Sequence, residues 1–337
     1  MRGFPGVYFS GDFLYNTTLK ISNDKEGIPL LSDFLIVVGQ VFTLFLMMGV
    51  GFVLAKLKWF SKETSGQCTQ LILYVVGPCI IITKLQIEAT AQVVHTMLMA
   101  ALGMALTYMV MIPLMQLLFR KESADTRVVR RFGVVYANNS FMGLPLLAGV
   151  LGEDALLFGV ISMLAFFVFQ WTHGVLIMGG KLNVRSAVLN PGIIATLIGV
   201  LFFAVGFRIP APVYNAMDFM GDLNTPLAMV IIGGQMARSD ILGVLKKPKL
   251  YLTAALKLVF VPAITCLLLL PLKLEPLSYC ACVVLAACPT AGVTAMFSQM
   301  FKRDEETAAQ MVTLSTLLSI ITLPVFAVLA RQISGLG

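Results

Sequence analysis

The chain has 337 residues, of which 58% are hydrophobic and only 12% charged, where a soluble globular chain carries roughly 25% charged residues. With a mean hydropathy of +0.90, apolar runs fill nearly the whole length, which excludes a pair of soluble domains. The net charge of +7 would imply nucleic acid only if the basic residues formed one patch. They fall in short clusters between apolar runs, so no nucleic-acid partner is expected.

Residues 1–33 are mixed and polar. They lack a basic region followed by an apolar core, so they read as an exposed arm, not a signal peptide. A membrane span needs about 20 mostly apolar residues. Five spans at about 34–56, 65–86, 95–119, 131–151 and 154–179 make a first unit, 34–180. A basic connection, 181–187, carries Lys181 and Arg185. Five more spans, at about 188–207, 216–237, 250–271, 278–301 and 307–330, make a second unit, 188–331, ahead of a short tail, 332–337.

Alternate connections hold sixteen Lys and Arg, among them Lys58, Arg120, Arg131, Lys246 and Arg303. The opposite side, with the arm and tail, holds seven, including Arg2, Lys20 and Lys25. The positive-inside rule then places the richer side in the cytoplasm and both termini outside a cell membrane. Five spans per half would invert the second half relative to the first. Gly49, Val50 and Phe52 are echoed by Gly199, Val200 and Phe202, Pro78 by Pro226, and Gly143 by Gly292, at spacings of 148 to 150 residues. Inverted repeats mark secondary transporters.

The fourth span carries Asn138, Asn139, Ser140, Gly143 and Pro145. Adjacent polar side chains at membrane depth are costly without partners, and Pro145 suits the first turn of a new helix better than the middle of an old one. The expectation is unwinding over about 138–143 and a restart at 144–145. The ninth span repeats the pattern with Pro289, Thr290, Gly292 and Thr294. Two breaks facing each other would expose positive helix ends, favouring an anionic substrate.

Lys257 is the one charge deep in a span. It reads either as snorkelling to the cytoplasmic surface or as a fixed cation near the site. His95 lies at a span end, and His173, beside Gln170 and Trp171, reads as packed rather than as a proton relay. The six cysteines include no C-x-x-C pair and read as small apolar side chains, so no metal or cofactor is expected. No H-E-x-x-H, G-x-S-x-G or phosphate-binding loop is present, which leaves no enzymatic motif.

The fourth-span motif Asn138-x-x-Phe141-x-Gly143-Leu144-Pro145, ninth-span Pro289-Thr290-Ala291, and tenth-span Ser315-Thr316-Leu317-Leu318-Ser319 with Thr322-Leu323-Pro324 resemble the auxin efflux carrier family over about residues 34–331. That family includes plant auxin exporters and bacterial malate or malonate permeases. The resemblance implies an all-α membrane fold of ten helices in two inverted five-helix repeats, like that of sodium–proton antiporters, with broken helices four and nine crossing. Spans one, two, six and seven would form a scaffold, often dimeric, and spans three to five and eight to ten a moving transport domain. The implied activity is secondary transport of small organic anions, mono- or dicarboxylates, by an elevator motion, with H+ or Na+ as a coupling ion. Family members often carry an Asn after the ninth-span proline. Val293 and Thr294 stand here, so that half is less polar. A cation–proton antiporter would want an intramembrane carboxylate, which no span carries deep inside, and a non-transporting sensor on the same fold is a further alternative.

Overall fold

The computed structural model describes residues 29–181 and 190–336. The polar arm up to residue 28, and the connection 182–189 with Arg185, lie outside the described residues. The described chain is helical, with no strand beyond one isolated bridge. We label the helices α1 (Pro29–Lys56), α2 (Lys62–Lys84), α3 (Ala91–Gln116), α4 (Ala124–Val135), α5 (Asn139–Leu151), α6 (Ala155–Ile177) and α7 (Pro191–Val205). There follow α8 (Ala211–Asp222), α9 (Asn224–Ala237), α10 (Ile241–Leu245), α11 (Pro248–Leu272), α12 (Pro276–Ala287), α13 (Val293–Met300) and α14 (Glu305–Ser334). Among the described residues six helices (α1, from Val37, α2, α3, α6, α11 and α14) are long and apolar enough to cross a membrane, and α5, α7 and α12 are shorter apolar helices. The protein is therefore a multi-pass α-helical membrane protein.

Local sequence explains where the helices start. Side chains of Ser61, Thr90, Ser123, Asn190, Asp240, Glu275 and Asp304 accept first-turn amides of α2, α3, α4, α7, α10, α12 and α14. At its far end α14 runs through Ser334 before a left-handed Gly335 (φ 75°) closes it, so the tail foreseen from residue 332 begins inside a helix.

Three wide, π-helical turns share one cause. Ile72–Val76 in α2, Asn139–Gly143 in α5 and Leu256–Phe260 in α11 each end two residues before a proline: Pro78, Pro145 and Pro262. A proline ring collides with the carbonyl four residues back and offers it no N–H. Bonding one residue further back relieves both problems. Accordingly Gly77 N–H donates to Ile72 O, Leu144 N–H to Asn139 O and Val261 N–H to Leu256 O. A fourth such turn, Gln170–Gly174 in α6, has no following proline. There the Tyr136 hydroxyl donates to Phe169 O, just before the turn, at 2.7 Å.

Packing groups the helices. α1 lies along α9 so closely that a Cβ on Gly51 would collide with the backbone of Val230, and one on Gly233 with the backbone of Met48. Small residues at such points let membrane helices gain van der Waals contact where lipid offers no hydrophobic drive. α2 packs on α7 and α8. The second group is centred on α12, which contacts α3, α6, α11 and α14. α1 also touches α5 and α14, joining the groups.

Candidate functional site: the crossing of two interrupted helices

α4 stops at Val135, and Tyr136 is extended (φ −96°, ψ 111°). Asn138 is also non-helical (φ −78°, ψ 61°). α12 stops at Ala287, Cys288 is extended (φ −58°, ψ 148°), and α13 begins at Val293. The two irregular pieces cross antiparallel, with Ala137 opposite Thr290. Asn138 N–H donates to Pro289 O at 2.8 Å, and Ala291 N–H donates to Tyr136 O at 3.0 Å. Backbone groups at membrane depth must be satisfied within the protein, and here each break supplies the other.

The first break is displaced from its expected position. Unwinding occupies 136–138, while 139–143, expected to be unwound, already form the π-helical first turn of α5. Pro145 needs the wide turn before it, but it does not end the helix. Helical structure therefore resumes before the proline, directly after Asn138, whose amide N–H is spent on Pro289 O across the crossing.

The two breaks treat their polar groups differently. In the second, Thr290 N–H donates to Ser315 Oγ at 3.1 Å and Thr290 Oγ1 donates to Gly133 O at 3.0 Å. A Cβ on Gly133 would collide with Met311 and crowd Thr290, so glycine there permits the close approach of α4. Pro289 is buried, and Thr294 is fully buried with its hydroxyl unpartnered. Directly after the first break Asn139 is wholly buried, yet among the described residues neither its amide oxygen nor its amide nitrogen has a hydrogen-bond partner. The Tyr108 side chain interacts with Asn139 but does not reach hydrogen-bond geometry. Asn138 is 4% exposed, Ser140 is half-buried, and Gly143 and Pro145 are buried. Gly292 borders open space, the nearest atom to its would-be Cβ being Gln235 Oε1 on α9, at 3.9 Å.

Antiparallel crossing also corrects the electrostatic expectation. The start of α5 lies beside the end of α12, with Gly143 against Leu285, and the start of α13 lies beside the end of α4, with Thr294 near Gly133. Each positive helix end, worth roughly half a charge, thus faces a negative one. Lys257 upsets this balance. It lies in the π-helical turn of α11, is 0% exposed, and donates to Ala286 O at 2.9 Å in the last turn of α12. It does not snorkel. An ammonium at a helix C-terminus neutralises that end, and no salt bridge reaches Lys257 among the described residues. In its protonated form Lys257 leaves the α5 side of the crossing net positive.

An aromatic wall completes the surroundings. Tyr108 stacks on Tyr136 and Phe169, with centroids 5.8 and 5.2 Å apart. The Tyr136 hydroxyl lies 3.0 Å from His173 Nδ1. Gln170 Oε1, Trp171 Nε1 and His173 Nε2 are buried without partners. Sequence reading noted Gln170 and Trp171 only as neighbours of His173. The missed signal was four polar or amphipathic residues in succession, Gln170-Trp171-Thr172-His173, within an otherwise apolar span. Ser315 was legible as part of a motif, but its acceptor role at Thr290 was not. The six cysteines are all free, and no group of His, Cys, Asp and Glu among the described residues could hold a metal ion.

Comparison with known proteins agrees with this architecture. The sequence profile of the family described as "Membrane transport protein" matches residues 36–185 and 179–327. A protein of Rhizobium meliloti (strain 1021) named "Putative malonate transporter" is 23% identical over 316 residues, covering 88% of this chain and 96% of that one. An "Uncharacterized transporter" of Methanothermobacter thermautotrophicus is 22% identical over 300 residues, covering 86% and 96%. With the profile matched across nearly the whole helical region, the chain belongs to the membrane transport protein family that contains the auxin efflux carriers, and it is a transporter rather than an enzyme.

Proposed function

We propose that the chain is a secondary transporter of small organic anions, mono- or dicarboxylates, with its substrate site on the α5 side of the crossing. The observation that carries this is the pairing of a fully buried, unpartnered Asn139 amide with an unneutralised Lys257 at the adjoining helix end. A buried amide without partners is expensive. A carboxylate accepts from its N–H2 and is favoured by the positive first turn of α5. Asn138, Asn139, Ser140, Gly143 and Pro145 would form the first half of the site, and Pro289, Thr290, Gly292 and Thr294 the second. Malonate is the first substrate to test, given the name of the Rhizobium meliloti relative.

The same reading takes the ten spans as two inverted halves. Supporting it, Tyr108 lies beside Asn139 and Lys257 beside Ala286, so the equivalent residues of α3 and α11 stand 149 positions apart, each against one break. Pro78 follows a wide turn in α2, and Pro226 follows the α8–α9 junction at Leu223. α1, α2 and α7–α9 would be the scaffold, dimeric through its lipid-facing side, and α3–α6 with α10–α14 the moving domain. The crossing is closed on this conformation, so access requires movement. A small cavity of about 60 Å3 between α2 and α8 on one side and α5 and α6 on the other would mark the sliding interface. The Lys84–Glu153 ion pair, at 2.7 Å, spans it. Flux would be coupled to H+ or Na+, and both termini would lie outside the cell membrane.

Flux of labelled malonate into proteoliposomes tests the proposal. Saturable uptake that is competed by other small carboxylates supports it. Flux no faster than in empty liposomes, for malonate and for a panel of mono- and dicarboxylates under proton and sodium gradients, refutes it.

A further inference from the structure

A second cavity, of about 330 Å3, has none of the crossing residues in its wall. It is lined by Arg130 on α4, by Lys246, Lys247 and Lys249 at the α10–α11 junction, and by Thr307 and Gln310 near the start of α14. That volume falls at the small end of ligand sites, which run from roughly 300 to 1,000 Å3.

The charges around it do not cancel. Glu122 lies 3.5 Å from Arg130 and 3.3 Å from Lys249, and Glu306 lies 2.7 Å from Lys247. Asp304 is held by Thr126 and Thr307 beside Arg130. Among the described residues the Lys246 ammonium has neither an ion pair nor a hydrogen bond. Four lining cations therefore meet Glu122, Glu306 and Asp304, and the start of α11, with no acidic residue in its first turn, adds a positive helix end. A separate observation concerns Arg130. It is 5% exposed and borders the cavity, yet its Nε–H has no acceptor among the described residues. A buried guanidinium N–H is not left unpaired cheaply, and it marks where an acceptor belongs.

The geometry points to a phosphate-bearing anion held in this cavity by Arg130 Nε and Lys246, with Lys247 and Lys249 flanking it. Phosphate fits better than a lone carboxylate because its several oxygens and higher charge can engage an arginine, a separate lysine and a helix end together. The chemistry has two sources. A phospholipid headgroup can enter a basic pocket between membrane helices, and a free phosphate can enter from the aqueous side. Either would tie together α4, α11 and α14, the helices that run into the crossing or brace it. This inference does not depend on what the crossing transports.

The test is thermal unfolding of the purified full chain in two arms, against inorganic phosphate in detergent, and in phosphatidylglycerol compared with phosphatidylcholine nanodiscs. A ligand of the folded state raises the melting temperature by mass action. Stabilisation by inorganic phosphate identifies the free anion, and stabilisation by phosphatidylglycerol alone identifies the headgroup. In either arm the double variant Lys246→Gln/Lys249→Gln, whose side chains are exposed, should lose the effect, with apparent phosphate affinity about tenfold weaker. Lys58→Gln/Lys62→Gln, also exposed but not in this cavity, should keep it. Stabilisation in neither arm overturns the proposal. So does stabilisation of the pocket double variant equal to wild type, or an equal loss in both double variants.

Discussion

The two breaks at the crossing look alike in sequence and are built differently. At the second, Thr290 is bonded through both its amide and its hydroxyl, to Ser315 and Gly133, and acts as a strut between α4 and α14. At the first, the backbone is just as well tied, by Asn138 to Pro289 and Ala291 to Tyr136, but the Asn139 amide is left without partners. A polar group with all its bonds made rigidifies a structure, whereas one lacking them has capacity for a ligand. On the proposed reading the first break has the more binding capacity to spare, while among Pro289, Thr290, Gly292 and Thr294 of the second only the Thr294 hydroxyl is left without a partner among the described residues.

The sharpest way to break this comparison is Asn139→Leu, similar in size but without donor or acceptor. We expect malonate flux in proteoliposomes to fall by at least about 100-fold, the loss of two hydrogen bonds to a charged ligand at about 1.5–3 kcal/mol each, with the melting temperature held or raised. Asn138→Ala should likewise abolish flux while leaving folded protein. Wild-type flux in either variant removes the first break as the receiving half.

Thr290→Val should behave in the opposite sense. It removes the hydroxyl bond to Gly133 O and leaves a buried carbonyl short of a donor, costing about 1–3 kcal/mol. The melting temperature should drop while the substrate affinity of the surviving folded protein stays near wild type. A large affinity loss at unchanged stability would show that the second half also receives.

Next in size is Lys257→Gln. The amide can still donate to Ala286 O, but the charge at the end of α12 is gone. Apparent anion affinity should weaken by about tenfold, since removing a helix-end charge in a buried site is worth up to about 2 kcal/mol. If only stability changes, Lys257 serves packing alone.

The smallest effect concerns Asp304, which ties α4 to α14 outside the span by accepting from Thr126 and from Thr307. Burial raises its carboxyl, but those hydrogen bonds and the Arg130 charge outweigh burial and hold it below the usual carboxylate range. A lowered folded value means that its stabilisation is present above the unfolded value and fades as pH falls through the folded one. Thermal scans should show a loss of stability below about pH 4, with a flatter profile in Asp304→Asn.

Much of the fold was legible because the bilayer imposes it. Spans of about 20 apolar residues, cap residues such as Ser61, Asn190 and Asp304, and prolines in mid-span all act through nearby residues, and the helices begin and end within a few residues of where those signals stand. The site was legible as a list, since Asn138, Asn139, Thr290 and Lys257 are conspicuous where polar groups are costly. Its wiring was not. The break moved to 136–138 because Asn138 N–H meets Pro289 O, some 150 residues away, and no local pattern encodes that meeting.

The sequence by itself determined a multi-pass helical transporter with two faults in its helices, through composition, spacing and the chemistry of proline at membrane depth. Only the tertiary structure decided which fault keeps its polar groups free, that positive and negative helix ends lie side by side, and that Lys257 tips their balance. Those outcomes depend on bonds between distant segments, where one donor taken by a neighbour is one donor fewer for a substrate.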